Sequence, residues 1–120
     1  MQALMLQNRN SGLRAYFLWG PFLRGDSEAA ARAVTAKYTA PNSVYFWTRS
    51  LSLGRELAEV LRMPHGKLAW DVYLAYRKGT MWEERIPPPA YWQHQLEVLQ
   101  GEPFNPTLLE ARAMQLLNTR

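Results

Sequence analysis

Apolar residues along the chain fall into two patterns, and together these set the expected order of elements. Gln2 to Gln7 and Leu13 to Trp19 read as two strands flanking Asn8-Arg9-Asn10-Ser11-Gly12, a hairpin with a five-residue loop. After Arg14 the second strand is apolar on both faces, as is Val44-Tyr45-Phe46-Trp47. Such runs suit central strands covered by helices on both sides. Between them, Asp26 or Ser27 can cap a helix that carries Glu28 in its first turn and Ala29, Ala30, Ala33, Val34 and Ala36 along it. Leu53, Leu57, Val60 and Leu61 follow at i, i+4, i+7 and i+8, an amphipathic stripe that Met63-Pro64-His65-Gly66 interrupts. Leu68 to Tyr76 alternates as a strand, and Arg77-Lys78-Gly79-Thr80 turns the chain toward a short return at Thr80-Met81-Trp82. Pro87 to Pro89 are extended. Ala90 to Gln100 is predicted as a helix with Trp92, Leu96 and Leu99 on one face, ended by Gly101. Asn105-Pro106 supplies a cap and an N1 proline for the last helix.

Strands alternating with helices imply right-handed crossovers and a mixed or parallel sheet shared by the strands at Leu13, Val44 and Leu68. The length, 120 residues, is that of one domain, 1–120. Hydrophobic residues make up 48%, enough for a core. The absence of cysteine excludes disulfides, thiol nucleophiles, iron–sulfur clusters and thiolate zinc sites. Net charge is +4, and most charges interleave. The exception is Arg9, Arg14 and Arg24, which all precede the first acid, Asp26. No apolar run reaches the ~20 residues of a membrane span, and Met1 to Gln7 lacks the features of a signal peptide. A cytoplasmic chain with no membrane partner is expected.

The order resembles the thioredoxin fold, a three-layer α/β/α arrangement with a mixed sheet, here with an added N-terminal hairpin. Trp19-Gly20-Pro21-Phe22 at a strand end is similar to that family's redox turn with both cysteines missing. Pro64, ahead of the strand at Leu68, compares with its cis-proline, and Lys78-Gly79 with its terminal hairpin turn. The resemblance implies a ligand edge where the loops at Trp19-Gly20-Pro21, Arg49 and Pro64 meet. Redox activity does not carry over without cysteine.

His65 and His94 lie in different elements and not at paired-ligand spacing, so no metal or other cofactor is expected. A strand-centre carboxylate, as expected for Asp71, is either a loop anchor or a site acid. There is no nucleophile elbow, P-loop or dinucleotide fingerprint. Aromatics carry more information. Tyr45-Phe46-Trp47 is accounted for by a two-sided core, whereas Trp82, Arg85, Tyr91, Trp92 and His94, around the proline run, are either an interface or a strap over the sheet. The expected function is therefore a non-catalytic binding or protein-interaction module, self-association included. One alternative is a small enzyme using Asp71, His65 and Arg49, marked by their convergence. Another is a nucleic-acid binder using Arg9, Arg14 and Arg24 with nearby aromatics, marked by a contiguous basic face.

Overall fold

A computed structural model describes residues 1–23, 25–37 and 40–119 and gives a mixed α/β protein with small sheets and four helices. The chain forms two compact units, Met1–Leu51 and Ser52–Arg120.

The first unit opens with a helix, α1 (Gln2–Gln7), where the sequence pattern predicted the first strand of a hairpin. The reason is local: Gln-Ala-Leu-Met-Leu-Gln contains no β-branched or aromatic residue, and all six favour a helix. Met5 anchors it, 1% exposed. The strand that follows, β1 (Ala15–Trp19), pairs in parallel with β2 (Ser43–Trp47), from Ala15 opposite Ser43 to Trp19 opposite Trp47. The connection runs through α2 (Glu28–Thr35), which packs against β2. This β-α-β unit was expected. Ser27 caps α2 by accepting a hydrogen bond from the Ala30 amide at 3.0 Å. Buried Asn42 ties the unit together, its side-chain amide donating to the Leu13 carbonyl at 3.1 Å and the Asn8 carbonyl at 3.4 Å.

The second unit holds the main core. The helix α3 (Ser52–Val60) and the turn after it bury Leu57, Ala58 and Leu61 with Ala69 and Ile86. Leu57 and Leu61 are 6% and 5% exposed, as the amphipathic stripe requires. After α3 the chain leaves the helix through Arg62, in the left-handed region at φ 56°. The strands β3 (Val72–Ala75), β4 (Tyr91–His94) and β5 (Glu102–Pro103) form a separate sheet in that order, β3·β4 antiparallel and β4·β5 parallel. The helix α4 (Pro106–Asn118) closes the unit, capped as expected by Asn105, whose side chain accepts from the Leu108 amide at 3.0 Å.

Four expectations are corrected here. β3 shares no sheet with β1 and β2. It is also shorter than Leu68 to Tyr76, because Asp71 sits at φ 54°, which no strand residue adopts. Thr80 to Trp82 forms no strand. The segment from Ala90 to Gln100 is not a helix: Tyr91 to His94 is strand, and Leu99, read as part of a packing face, is 98% exposed. Tyr91-Trp92 is the kind of aromatic pair that strands favour, and extended Pro87–Pro89 delivers the chain to the ladder in the right conformation. Gly101 ends no helix; it turns the chain at φ 69° into β5, and a Cβ there would stand 2.7 Å from the Trp92 indole.

Candidate functional site

The parallel pair β1–β2 presents two faces. Alternation puts Ala15, Phe17 and Trp19 with Ser43, Tyr45 and Trp47 on one, half-buried, where the Phe17 and Tyr45 rings stack at 4.9 Å. The other carries Tyr16 and Leu18 beside Val44 and Phe46, in register, and is open to solvent. Tyr16 is 60% exposed, Phe46 52%, Val44 43% and Leu18 42%. A two-sided core was expected for Tyr45 to Trp47; Phe46 overturns it. Sequence could not separate the faces because both phases of the alternation are apolar.

Charge is distributed as unevenly as apolar surface. Met1–Leu51 contains six Lys or Arg against two acids, and Ser52–Arg120 eight against eight, so the whole net charge of +4 belongs to the first unit. Arg14 is exposed immediately before β1, in the same phase of alternation as Tyr16 and Leu18. Arg49 is exposed just after β2, its guanidinium 3.9 Å from Glu28, which also pairs with Arg32 at 3.0 Å. The Arg9 guanidinium donates to the Leu6 carbonyl at the end of α1. Arg24 lies outside the described residues. The contiguous basic stripe expected of a nucleic-acid binder is therefore not seen among the described residues: Arg9, Arg32 and Arg49 each already meet a carbonyl or a carboxylate.

Trp19 and Pro21 are half-buried in the first unit; Pro64 and His65 are exposed in the second, on the turn after α3. All described peptide bonds are trans, so Pro64 lacks the feature with which it was compared. Asp71 is an exposed loop residue rather than a strand-centre acid. Its carboxylate accepts from the Tyr73 hydroxyl at 3.2 Å, its carbonyl accepts from the Gln95 amide at 3.0 Å, and no contact joins it to His65. It anchors a loop. No group of three His, Asp or Glu among the described residues could hold a metal.

In the expected Trp82–His94 segment, Trp82 is 37% exposed and meets the Tyr76 ring edge-on at 6.0 Å, while Arg85 is exposed. The Tyr76 hydroxyl donates to the Pro87 carbonyl at 2.9 Å, which fastens the proline run to β3's end. Burial raises the Tyr76 phenol above its ordinary value. On β4, Trp92 is half-buried and His94 is 3% exposed, their rings 5.6 Å apart. The His94 Nδ1 accepts from the Leu96 amide at 3.1 Å, which uses it structurally. Fully buried Gln93, which the sequence did not single out, is the hub: its amide donates to the Tyr91 hydroxyl at 2.7 Å and its carbonyl accepts from the Asn105 amide at 2.9 Å. Tyr91 in turn donates to Glu102 at 3.0 Å. The segment thus holds buried, bonded groups at Gln93 and His94 and exposed side chains at Trp82 and Arg85.

A cleft of about 420 Å³ opens between Tyr91 and α4, where Arg77 and Arg112 stand near Gln115 and Leu116. The Arg112 guanidinium lies 5.6 Å from the centre of the Tyr91 ring. The Tyr91 hydroxyl is engaged on both sides, so no acid–base group points into this cleft. The C-terminal end of α4 also carries partial negative charge, which opposes the anion that two arginines would otherwise attract.

No family model, curated protein or solved structure matches the chain. No helix among the described residues is long and apolar enough to cross a membrane.

Proposed function

We propose that the protein is a non-catalytic protein-interaction module and that its docking surface is the open face of β1–β2. The observation that carries this is the exposure of Tyr16, Leu18, Val44 and Phe46 in register on a parallel sheet. Parallel sheets are ordinarily covered on both faces. Aromatic side chains supply much area at small entropy cost and are enriched among interface anchors. Single-stranded nucleic acid would also use exposed aromatics, but it needs a cationic groove that follows the phosphates. Half of this face is aliphatic and its neighbouring arginines are mostly engaged, which favours a protein. The proposal draws on the β1-α2-β2 unit alone and not on the thioredoxin-like resemblance, which stays an expectation about the whole chain.

Photo-crosslinking tests it, with p-benzoylphenylalanine in place of Leu18 and, as a control, in place of exposed Arg55 on α3. The Leu18 derivative is expected to give an adduct that protease digests and nuclease leaves intact, lost on adding Phe46→Glu. Equal adducts at both positions, none at either, or a nuclease-sensitive one would refute the proposal.

A further inference from the structure

The edge of β1 makes a second contact possible, whatever docks on the open face. Alternate residues of a strand send their N–H and C=O to opposite sides. The Ala15 amide donates to the Asn42 carbonyl at 3.0 Å, and the Trp19 carbonyl accepts from the Thr48 amide at 2.8 Å. With the β1–β2 register, this turns the main-chain groups of Ala15, Phe17 and Trp19 toward β2 and those of Tyr16 and Leu18 away from it. Among the described residues nothing pairs with that outer side: the sheet has two strands, and no main-chain bond reaches Tyr16 or Leu18 from elsewhere. The outer side of β2 is partly used, since the Ser43 amide donates to the Ala40 carbonyl at 3.3 Å. Monomeric proteins blunt a bare edge with Lys, Pro, a bulge or a covering element. Ala15-Tyr16-Phe17-Leu18-Trp19 has no charge and no proline, and its register with β2 has no bulge. A pair of strands is also one short of the three that usually make a sheet stable.

β1 is complementary to itself when a second copy runs antiparallel about Phe17. Tyr16 then stands opposite Leu18 of the second copy, and Leu18 opposite its Tyr16. These are the residues with unused groups, and each pair exchanges two N–H···O bonds, about four in all. Of the antiparallel registers, this one alone matches every unused group with another inside β1. It sets Phe17 against Phe17, bulky Trp19 against small Ala15, and Arg14 against Gly20. The two Arg14 residues fall about 20 Å apart, six positions along the strand. That exceeds the ~8 Å Debye length at physiological salt, so their like charges do not oppose pairing. We infer that the protein self-associates through β1 as a two-fold dimer with a four-stranded sheet in the order β2-β1-β1-β2. The axis is perpendicular to the sheet, so both open faces point the same way and join into one surface. The edge of one strand is a small contact, and the association is weak and reversible.

The test uses the full chain. Sedimentation equilibrium is expected to show a monomer–dimer equilibrium. Leu18→Pro, which removes only an outward N–H at an edge position that accepts proline, should weaken it at least tenfold. Phe46→Glu, which alters the face and not the edge, should leave it within twofold. The chain has no cysteine, so an introduced thiol reports a single position. Phe17 and its copy form a non-hydrogen-bonded pair with Cα atoms ~4.5 Å apart. Disulfides span that distance. Phe17→Cys should therefore give a disulfide-linked dimer under mild oxidation. Tyr45→Cys should not, because the two Tyr45 positions lie three strand spacings, about 14 Å, apart. If Leu18→Pro or Phe17→Cys loses its amide shift dispersion, Tyr16→Cys mixed with Leu18→Cys decides: the mixed disulfide should exceed either homodimer at least tenfold. A chain that stays monomeric at millimolar concentration overturns the inference. So does a dimer that Phe46→Glu abolishes and Leu18→Pro spares, or a Tyr45→Cys disulfide that forms as readily as that of Phe17→Cys. The mass of the Leu18 photo-adduct keeps the two readings apart: twice the chain reports the edge, and any other mass a partner on the face.

Discussion

The two units handle apolar sequence in opposite ways. In Ser52–Arg120 the stripe on α3 is folded inward, with Leu57, Ala58, Leu61, Ala69 and Ile86 in one cluster. The polar groups buried beside β4 are matched to partners, Gln93 to Tyr91 and Asn105. Among the described residues of Met1–Leu51 the buried side chains are few, Met5, Ala31, Ala40 and Asn42, while Tyr16, Leu18, Val44 and Phe46 face water. The first unit also carries all the net charge. One unit spends its sequence on holding itself together; the other keeps a large part of its apolar surface in contact with solvent. Exposed apolar strips with a charged surround are what binding surfaces look like, and a well-filled core is not.

The sharpest contrast lies between one core and one surface substitution. Leu57→Ala should cost about 2–5 kcal/mol in urea unfolding, because a 6% exposed side chain leaves a cavity that packed neighbours cannot fill. Phe46→Ala, at 52% exposure, should change stability by less than about 1 kcal/mol despite removing a larger group. Equal losses would erase the distinction between the units.

Next in size is Gln93→Leu. The substitution keeps the volume but leaves the Asn105 amide without its acceptor, at a cost of about 1–3 kcal/mol. Denaturation of this variant and of Tyr91→Phe, which removes the hydroxyl that accepts from the Gln93 side chain, alone and combined, shows whether the two residues act as one network, since coupled neighbours give non-additive losses. Additive losses would dissolve the proposed hub.

Helix caps should weigh about equally in the two units. Ser27→Ala and Asn105→Ala each remove one side-chain hydrogen bond to a helix amide, and each should cost about 1 kcal/mol. The Asn105→Ala variant keeps the backbone N–H that donates to Gln93, so its loss reads the cap alone; a loss far above that of Ser27→Ala would contradict equal caps.

The smallest effect is a pH dependence in the second unit. Burial raises the Tyr73 phenol above its ordinary value of 10.0, with the Gln95 amide opposing and Asp71 reinforcing. Burial raises Tyr76 and, against the Gln93 amide, Tyr91, which Glu102 pushes the same way. A phenol whose folded pKa is raised binds its proton more tightly when folded. Its contribution is complete below the unfolded value near 10 and is lost as pH climbs through the folded value. Phenolate absorbance should therefore show these three tyrosines ionising above pH 10, with stability of the second unit falling over the same range. Ionisation of all three below 10 would contradict the burial described.

The β-α-β crossover was legible because its signals are local: a capping Ser27, an Ala-rich helix and two strand-forming runs. The Asn105-Pro106 start of α4 and the burial of Leu57 and Leu61 were legible for the same reason. The N-terminal strand failed because apolar content was read without composition, and Gln2–Gln7 has none of the residues that strands select. The segment at Tyr91 failed because Trp92, Leu96 and Leu99 sit at helical spacing by accident, while register with Val72–Ala75 decided the outcome. Tertiary pairing of this kind leaves no local trace. The candidate surface was half legible: an exposed aromatic was expected at Trp82, which is 37% exposed, but none at Tyr16 and Phe46, which are more so. When both phases of a strand are apolar, alternation cannot say which one faces water. Only the neighbours that do or do not cover it can.

The central claim is that the β1–β2 face is open in the isolated chain. Relaxation of side-chain methyls by a soluble paramagnetic agent measures this directly. The account predicts strong enhancement at the methyls of Leu18 and Val44 and almost none at those of Leu57 and Leu61. Leu18 and Val44 methyls as protected as those of Leu57 would contradict it.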